Sequence, residues 1–176
     1  MRWLASALFL LFCLVSSQAQ NDSAQKLVFE YEAECGRAGY ESSFWLTNKG
    51  RVTKIFDGDS IEIKIPMGKK VRVDLVSIDA SQNKQSAQCF LEKNLINQDV
   101  EFSTSMSFAD YKQKRIDAIV YLQSQDINRK MIENGLAQYK KPKIHSVSNY
   151  SNCVYVQLEK KARAAKIGIW ANETTY

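Results

Sequence analysis

Apolar and polar residues alternate with a period of two along much of the central chain. Two stretches, 61–65 and 71–75, alternate isoleucine, valine or leucine with polar residues. Such alternation is typical of β-strands that bury one face. Residues 52–56, 100–102 and 116–122 are rich in β-branched or aromatic residues and indicate further strands. The pattern therefore predicts five strands.

Helical periodicity appears in three other stretches. Apolar residues recur every three or four positions within 87–95, 127–137 and 155–170. Gly135 lies near the expected end of the second helix, and glycine readily adopts the left-handed conformation that ends many helices. The third stretch carries its lysines and arginine towards the C-terminal end, where cations interact favourably with the helix dipole. Three helices are therefore expected.

The order of these elements predicts a fold class. Three strands are followed by a helix, two strands and two helices, which is the layout of an OB-type barrel. We expect an α+β fold, a five-stranded OB-type β-barrel with three helices, over residues 50–171. Residues 20–49 predict an N-terminal extension with at most one strand at 27–31, and residues 172–176 predict a short tail.

The first 19 residues have the features of a secretory signal peptide. A charged start that contains Arg2 precedes an apolar run over residues 4–15, and Ser17 and Ala19 supply small residues at the positions that a signal peptidase reads. The run is shorter than the roughly 20 residues that span a bilayer. We expect cleavage after Ala19 and a secreted or periplasmic product without a membrane segment.

The composition limits the kinds of partner and functional site that we expect. The chain has 24 Lys+Arg against 19 Asp+Glu, a net charge of +5 that suits an anionic partner without demonstrating one. With His145 as the one histidine and no Cys-X-X-Cys motif, neither a zinc site nor a histidine-based triad is expected. Cleavage of the signal leaves Cys35, Cys89 and Cys153, which predict one disulfide and one free thiol with the pairing left open.

Several motifs occur in a defined order from residue 52 onwards. They are Asp57-Gly58-Asp59-Ser60, then 71–80, then Ser86-Ala87 with Phe90-Leu91, then Arg115 ahead of Ala118 and Tyr121, then Asn128 with 134–137, and finally Glu159, Ala162-Arg163 and Gly168-Ile169-Trp170. Together they resemble the staphylococcal nuclease (thermonuclease) family over about residues 50–171. The resemblance implies an OB barrel and Ca²⁺-dependent cleavage of DNA and RNA.

The resemblance also implies a set of metal ligands. Asp59 and Asp79 match the metal-binding carboxylates, the carbonyl of Ala80 matches a backbone ligand, and Asp57 matches an acidic neighbour. Oxygen atoms of this kind are the ligands that Ca²⁺ prefers. The Asp57–Asp59 segment is also an ordinary tight-turn sequence when it is considered alone.

Arg115 matches a phosphate-binding arginine, but two other positions depart from the family pattern. Asp74 stands where the first phosphate-binding arginine is usual, and Gln82 stands where a water-orienting glutamate is usual. Loss of one preorganised charge stabiliser costs about 10²–10³ in rate. Loss of a general acid or base costs about 10²–10⁴. We therefore expect poor hydrolysis by the family mechanism.

Arg72 and a basic stretch offer further nucleic-acid contacts. Arg72 lies two residues before Asp74 on the same strand face, so a two-residue slip would bring it towards the substrate. The alternative is that both are solvated strand residues. Lys140 and Lys141, beside Tyr139, suit the backbone of a nucleic acid, and the alternative is a solvated loop.

Three functional hypotheses follow from the sequence. The first is an exported, catalytically weakened or inactive homologue that retains binding of Ca²⁺ and nucleic acid. The second is an active Ca²⁺-dependent endonuclease that uses Arg115 with a rearranged partner such as Arg72. The third is a protein-interaction module stabilised by a disulfide.

Overall fold

We analysed a computed structural model of the chain, which describes Tyr31 and residues 33–36, 46–104, 115–142 and 148–172, without the side chain of Met67. The chain splits into two compact units, residues 1–38 and 39–176. The predicted signal peptide and His145 lie outside the described residues.

In the first unit, Tyr31 and residues 33–35 are helical. The strand predicted at 27–31 is therefore wrong at Tyr31, whereas residues 27–30 lie outside the described residues. Tyr31 is followed by Glu-Ala-Glu, whose residues favour a helix over a strand. This local preference outweighs the short apolar run before it.

The second unit contains the strands and helices that the periodicity predicts. In chain order the strands are β1 (Leu46–Asp57), β2 (Ser60–Lys64), β3 (Lys70–Leu75), β4 (Ile78–Asp79), β5 (Asp99–Thr104), β6 (Arg115–Leu122), β7 (Gln125–Asp126) and β8 (Gln138–Tyr139). The α-helices are α1 (Lys84–Leu95), α2 (Ile127–Glu133) and α3 (Asn149–Ala164).

Five of these strands form a closed barrel. The order β3-β2-β1-β5-β6 is antiparallel between neighbours, and a parallel pairing of β3 with β6 closes the sheet. The expected OB-type α+β fold is confirmed. The short strands β4, β7 and β8 were not predicted, because a two-residue strand is too short to show alternation.

The alternating residues fill the barrel as expected. Ile61, Ile63 and Val73 are fully buried, while the polar residues between them face outward. Leu91 and Leu95 of α1 are equally buried. The helix between the third and fourth barrel strands thus contributes its apolar face to the core.

The last two helices differ in length from the prediction. Helix α2 ends at Glu133, and Gly135 then adopts a left-handed φ of 59°. A Cβ at Gly135 would lie 2.2 Å from the carbonyl oxygen of Ile167, so only glycine permits this close approach. Helix α3 begins at Asn149, capped by Ser148, and the predicted 155–170 helix stops at Ala164.

A buried hydrogen-bond network fixes α2 against the barrel. The side chain of Asn128 accepts a bond from the Val120 N–H (3.1 Å) and donates to the carbonyls of Val76 (2.9 Å) and Ala118 (3.2 Å). Asp126 caps the helix by accepting the Arg129 N–H at 2.9 Å. These bonds link α2 to the end of β3 and to β6.

The structure also gives the oxidation state of the three cysteines that follow the predicted signal peptide. Cys35 and Cys153 are disulfide-bonded, and Cys89 is exposed and free. The expected free thiol is therefore that of Cys89. None of the helices in the described part of the chain has the length and apolar character needed to cross a bilayer.

Candidate functional site

The turn between β1 and β2 brings two carboxylates against the start of the α1 segment. Asp57 pairs with Ser60 across the turn, and the Asp59 N–H donates to Asp57 Oδ1 at 3.3 Å. A Cβ on the buried Gly58 would lie 2.9 Å from the Cβ atoms of both Ala80 and Ala87. Glycine therefore lets this acidic turn lie directly on the β4–α1 connection.

A pocket of about 120 Å³ opens beside the acidic turn. It is lined by Asp57, Gly58, Asp59, Ala80, Ser81 and Lys84. Burial, the hydrogen bond with Asp57 and the nearby charges of Asp57 and Asp74 raise the pKa of Asp59 to about 6. A bond from the Ala80 N–H, at 3.5 Å, offsets this only in part. Negative charge is thus concentrated at this pocket.

Asp79 lies at the end of β4, and its carboxylate has other partners. It accepts the Ser81 N–H at 2.9 Å and lies 3.7 Å from the Lys140 ammonium. Hydrogen bonds from Ser81 and the charge of Lys140 lower the pKa of Asp79. In contrast to Asp59, this carboxylate is well compensated.

The donors in this region fit a calcium ion in charge but not in number. Ca²⁺ takes six to eight oxygen ligands, and no group of three or more His, Cys, Asp or Glu side chains in the described ranges is arranged to hold a metal. Asp57, Asp59 and Ala80 share the pocket, while Asp79 is engaged with Lys140. We therefore derive no chemical step through a metal.

The barrel closure brings two arginines together. Arg72 of β3 and Arg115 of β6 lie directly opposite each other in the parallel pairing. Neighbouring strands are about 4.8 Å apart, so the two guanidinium groups arise from adjacent backbone positions. The sequence paired these two arginines only as a hypothesis that needed a rearrangement, since the β3–β6 register exists only once the barrel closes.

Asp74 occupies the space between the two arginines. Its Oδ2 accepts a hydrogen bond from Arg115 Nε, and its Oδ1 lies 3.8 Å from Arg72 Nε. Oδ1 is buried without a hydrogen-bond partner. The hydrogen bond with Asp74 is also the main cause that raises the pKa of Arg115. A carboxylate of the protein thus already contacts both guanidinium groups.

Arg72 reaches the site without the slip considered from the sequence. The β2–β3 pairing is regular from Lys64↔Lys70 to Ser60↔Asp74. Arg72 Nε donates to the buried Ser60 hydroxyl at 2.7 Å, and an Nη atom lies 3.8 Å from Asp57. The alternative of freely solvated side chains at Arg72 and Asp74 is also wrong, since each has close contacts and is largely shielded.

The remaining predicted residues lie at the edge of this region. Gln82 is exposed and donates through its amide to Gln138 at 3.2 Å. Lys140 contacts Asp79 as described, and Lys141 is exposed. The prediction overlooked Lys84, which lines the pocket. A lysine four residues after Ala80 carries no distinctive signal in the sequence until α1 folds against the turn.

Comparisons with known proteins agree with this geometry. A family model described as "Staphylococcal nuclease homologue" matches residues 62–172, which is more than half of the chain. A protein of Haemophilus influenzae named "Uncharacterized endonuclease" is 30% identical over 149 residues, covering 83% of this chain and 75% of the relative. The resemblance inferred from the motifs is thereby confirmed. The chain belongs to the staphylococcal nuclease homologue family.

Proposed function

We propose that this chain is a staphylococcal-nuclease-like domain that binds nucleic acid but hydrolyses phosphodiesters very slowly. The observation that carries the proposal is the position of Asp74 between Arg72 and Arg115. In a nuclease of this family, arginines at such a site neutralise the charge that develops on the phosphate. Here a carboxylate of the protein already contacts both.

Asp74 weakens the site in two ways. A phosphate that approaches Arg115 must displace the Asp74 carboxylate, and it must also approach a negative charge. Two like charges about 6 Å apart repel by about 3 kcal/mol at an effective dielectric constant near 20. Asp57 adds a further negative charge beside Arg72. The binding energy left for the transition state is therefore small.

Gln82 removes a second contribution to the reaction. An amide does not accept the proton of an attacking water, and the Gln82 side chain is already bonded to Gln138. Since a positioned general base commonly contributes about 10²–10⁴ to the rate, its loss is severe on its own. The two losses together support a hydrolytic rate far below that of an active nuclease.

Export and calcium binding are parts of the same proposal. Export is supported by the signal-peptide pattern of residues 1–19. Calcium binding is supported by the raised pKa of Asp59, because a cation would offset the negative charge concentrated there. Asp57, Asp59 and Ala80 line the pocket and would supply part of the oxygen ligands of such an ion.

A second candidate is an active endonuclease. It is favoured by Arg72, which stands directly across from Arg115 and restores a pair of guanidinium groups. The Haemophilus relative also has "endonuclease" in its name. This candidate needs Asp74 to release both arginines and needs a base other than Gln82.

A nuclease assay separates the two candidates. The purified protein is incubated with single-stranded DNA and with RNA, with and without millimolar Ca²⁺, beside an Asp59→Ala variant. We expect no cleavage above the Asp59→Ala background. Clear wild-type cleavage that disappears in that variant would establish the active endonuclease instead.

A gain-of-function variant tests the residue roles. Asp74→Arg combined with Gln82→Glu should raise the cleavage rate by about 10² or more, because it restores a phosphate-binding cation and a base. Asp74→Asn combined with Gln82→Asn is the matched control and should stay inactive. If neither double variant cleaves, the assignment of the two positions is wrong.

A further inference from the structure

The outer face of β1, β2 and β3 carries exposed lysines that the site described above does not use. Lys54 lies on β1, Lys64 on β2 and Lys70 on β3, and all three are exposed. Lys64 and Lys70 are directly paired across the two strands. Together with Phe56 they define what we call the outer strand face.

Phe56 lies on this face in contact with two cations. The Lys54 ammonium is 4.8 Å from the centroid of the ring, and the Arg72 guanidinium carbon is 4.5 Å from it. The ring is half-buried, so part of it stays accessible to solvent. Phe56 also directly precedes Asp57, so the aromatic ring borders the acidic turn.

The charge on the outer strand face is positive. Glu62 is the acidic residue among the outward positions of β2, and it bonds to Lys70 at 2.8 Å and to the Thr53 hydroxyl at 2.6 Å. Four cations, those of Lys54, Lys64, Lys70 and Arg72, thus outnumber the three carboxylates of Glu62, Asp57 and Asp74 beside them. A polyanion would meet net attraction along this face.

The strand register connects this face to the arginine pair. Lys54, Glu62, Arg72 and Arg115 form one continuous row across β1, β2, β3 and β6. With strands about 4.8 Å apart, the row extends over about 14 Å. That distance accommodates a few nucleotides, which is the scale of the shorter binding sites on barrels of this type.

We propose that the outer strand face binds single-stranded nucleic acid, with a base stacked on Phe56 and the adjoining phosphates held by Lys54, Lys64 and Lys70. The inference deepens the proposed function, since it rests on nucleic-acid binding by this domain. On binding, the flexible Lys54 side chain moves from the ring to a phosphate, and the base takes its place. The ligand is single-stranded because the bases of a duplex are already stacked on each other.

The test uses fluorescence anisotropy with labelled oligonucleotides. The full chain in EDTA is titrated with a 12-nucleotide single strand and with the corresponding duplex, so that hydrolysis does not interfere. Phe56→Leu, which keeps an apolar side chain but removes the ring, should weaken single-strand binding about fivefold or more. Log affinity falls as log salt rises, and Lys54→Ala should make this negative slope shallower by about one.

Matched controls lie on α1. Phe90 is a half-buried aromatic residue and Lys93 is an exposed lysine, and both belong to α1 rather than to β1, β2 or β3. Phe90→Leu and Lys93→Ala should bind the single strand as the wild type does. Phe56→Trp should bind at least as tightly as the wild type, which guards against a merely misfolded Phe56→Leu.

The outcomes separate this inference from the proposed function. If the wild type binds the single strand but Phe56→Leu and Lys54→Ala do not change binding, the inference is overturned while nucleic-acid binding stands. If the wild type binds neither oligonucleotide, both are overturned. If Phe56→Leu weakens duplex binding equally, base stacking on Phe56 is wrong. Selective loss of single-strand binding supports the inference.

Discussion

Two groups of shielded polar residues in the barrel domain differ in how completely their partners satisfy them. Around α2, the Asn128 side chain makes three hydrogen bonds, and Asp126 accepts bonds from the Arg129 N–H and the Tyr155 hydroxyl. Around the arginine pair, by contrast, one oxygen of Asp74 is buried without a hydrogen bond.

This difference indicates which group supports the fold and which one has a functional origin. An uncompensated buried polar group destabilises a protein, so a domain retains it where something other than stability is served. The Asn128 network holds α2 against the barrel and has no access to a ligand. The Asp74 group lies at an open site with two guanidinium groups. Four variants sharpen or break this distinction.

The largest effect is expected at Asn128. Asn128→Ala leaves the buried Val120 N–H and Val76 carbonyl without their side-chain partner, and each such group costs about 1–3 kcal/mol. Urea denaturation should show a loss of about 2–4 kcal/mol in the free energy of unfolding. Asn94→Ala is the control, since the one bond of that side chain to the Phe90 carbonyl lies nearer the surface. Equal losses for the two variants would contradict a special role for Asn128.

The next effect is expected at the acidic turn. Gly58→Ala places a Cβ 2.9 Å from Ala80 and Ala87, and overpacking of this kind costs about 1–3 kcal/mol. Adding Ala87→Gly should relieve part of the clash. A double-mutant cycle in urea therefore should show favourable coupling between the two positions. Strictly additive effects would mean that the turn does not pack on α1 as described.

A smaller effect on stability is expected at Asp74. Asp74→Asn removes a partly shielded charge, but it also removes an ion pair with the exposed Arg115. The free energy of unfolding should therefore change by less than about 1 kcal/mol. Binding of single-stranded DNA should instead tighten at least tenfold, because removal of about half of the roughly 3 kcal/mol of repulsion is already worth a factor of ten. Asp117→Asn, two positions beyond Arg115 on the same strand, is the comparison variant. A large loss of stability in Asp74→Asn would assign Asp74 to the fold rather than to the site.

The smallest effect is a pH dependence at Asp126. Burial raises the pKa of Asp126, so the folded protein keeps this proton to a higher pH than the unfolded chain does. Relative to Asp126→Asn, the wild type should therefore lose stability as the pH rises from about 4 towards neutrality. The hydrogen bond with Arg51 lowers the pKa of Asp99. Relative to Asp99→Asn, the wild type should therefore gain stability as the pH rises through the acidic range. Denaturation curves at several pH values test both.

Much of the fold was predictable because its signals are local. The alternation at 61–65 and 71–75 depends on which strand face is buried, and the structure buries those isoleucines and valines. The helix ends were less predictable, since Gly135 serves a contact with Ile167 that is remote in sequence. The strand expected to include Tyr31 failed because a short apolar run does not outweigh the helix-forming residues that follow it.

The contacts among the candidate site residues could not be predicted from the sequence. The motifs identified Asp59, Asp74, Gln82 and Arg115, whereas only the closed barrel shows that Asp74 bonds to Arg115. Arg72 was expected to need a slip to reach the site. The parallel β3–β6 register brings it there directly, because the register is set by pairing between strands and not by either strand alone.

The sequence by itself determined the family and the barrel, because these follow from residue types and their local order. The tertiary structure decided which charges meet. Arg72 and Arg115 are 43 positions apart in the chain and lie side by side only because β3 pairs with β6. Electrostatic interactions depend on distance in space, so the charge balance around these two arginines followed from the closure of the barrel.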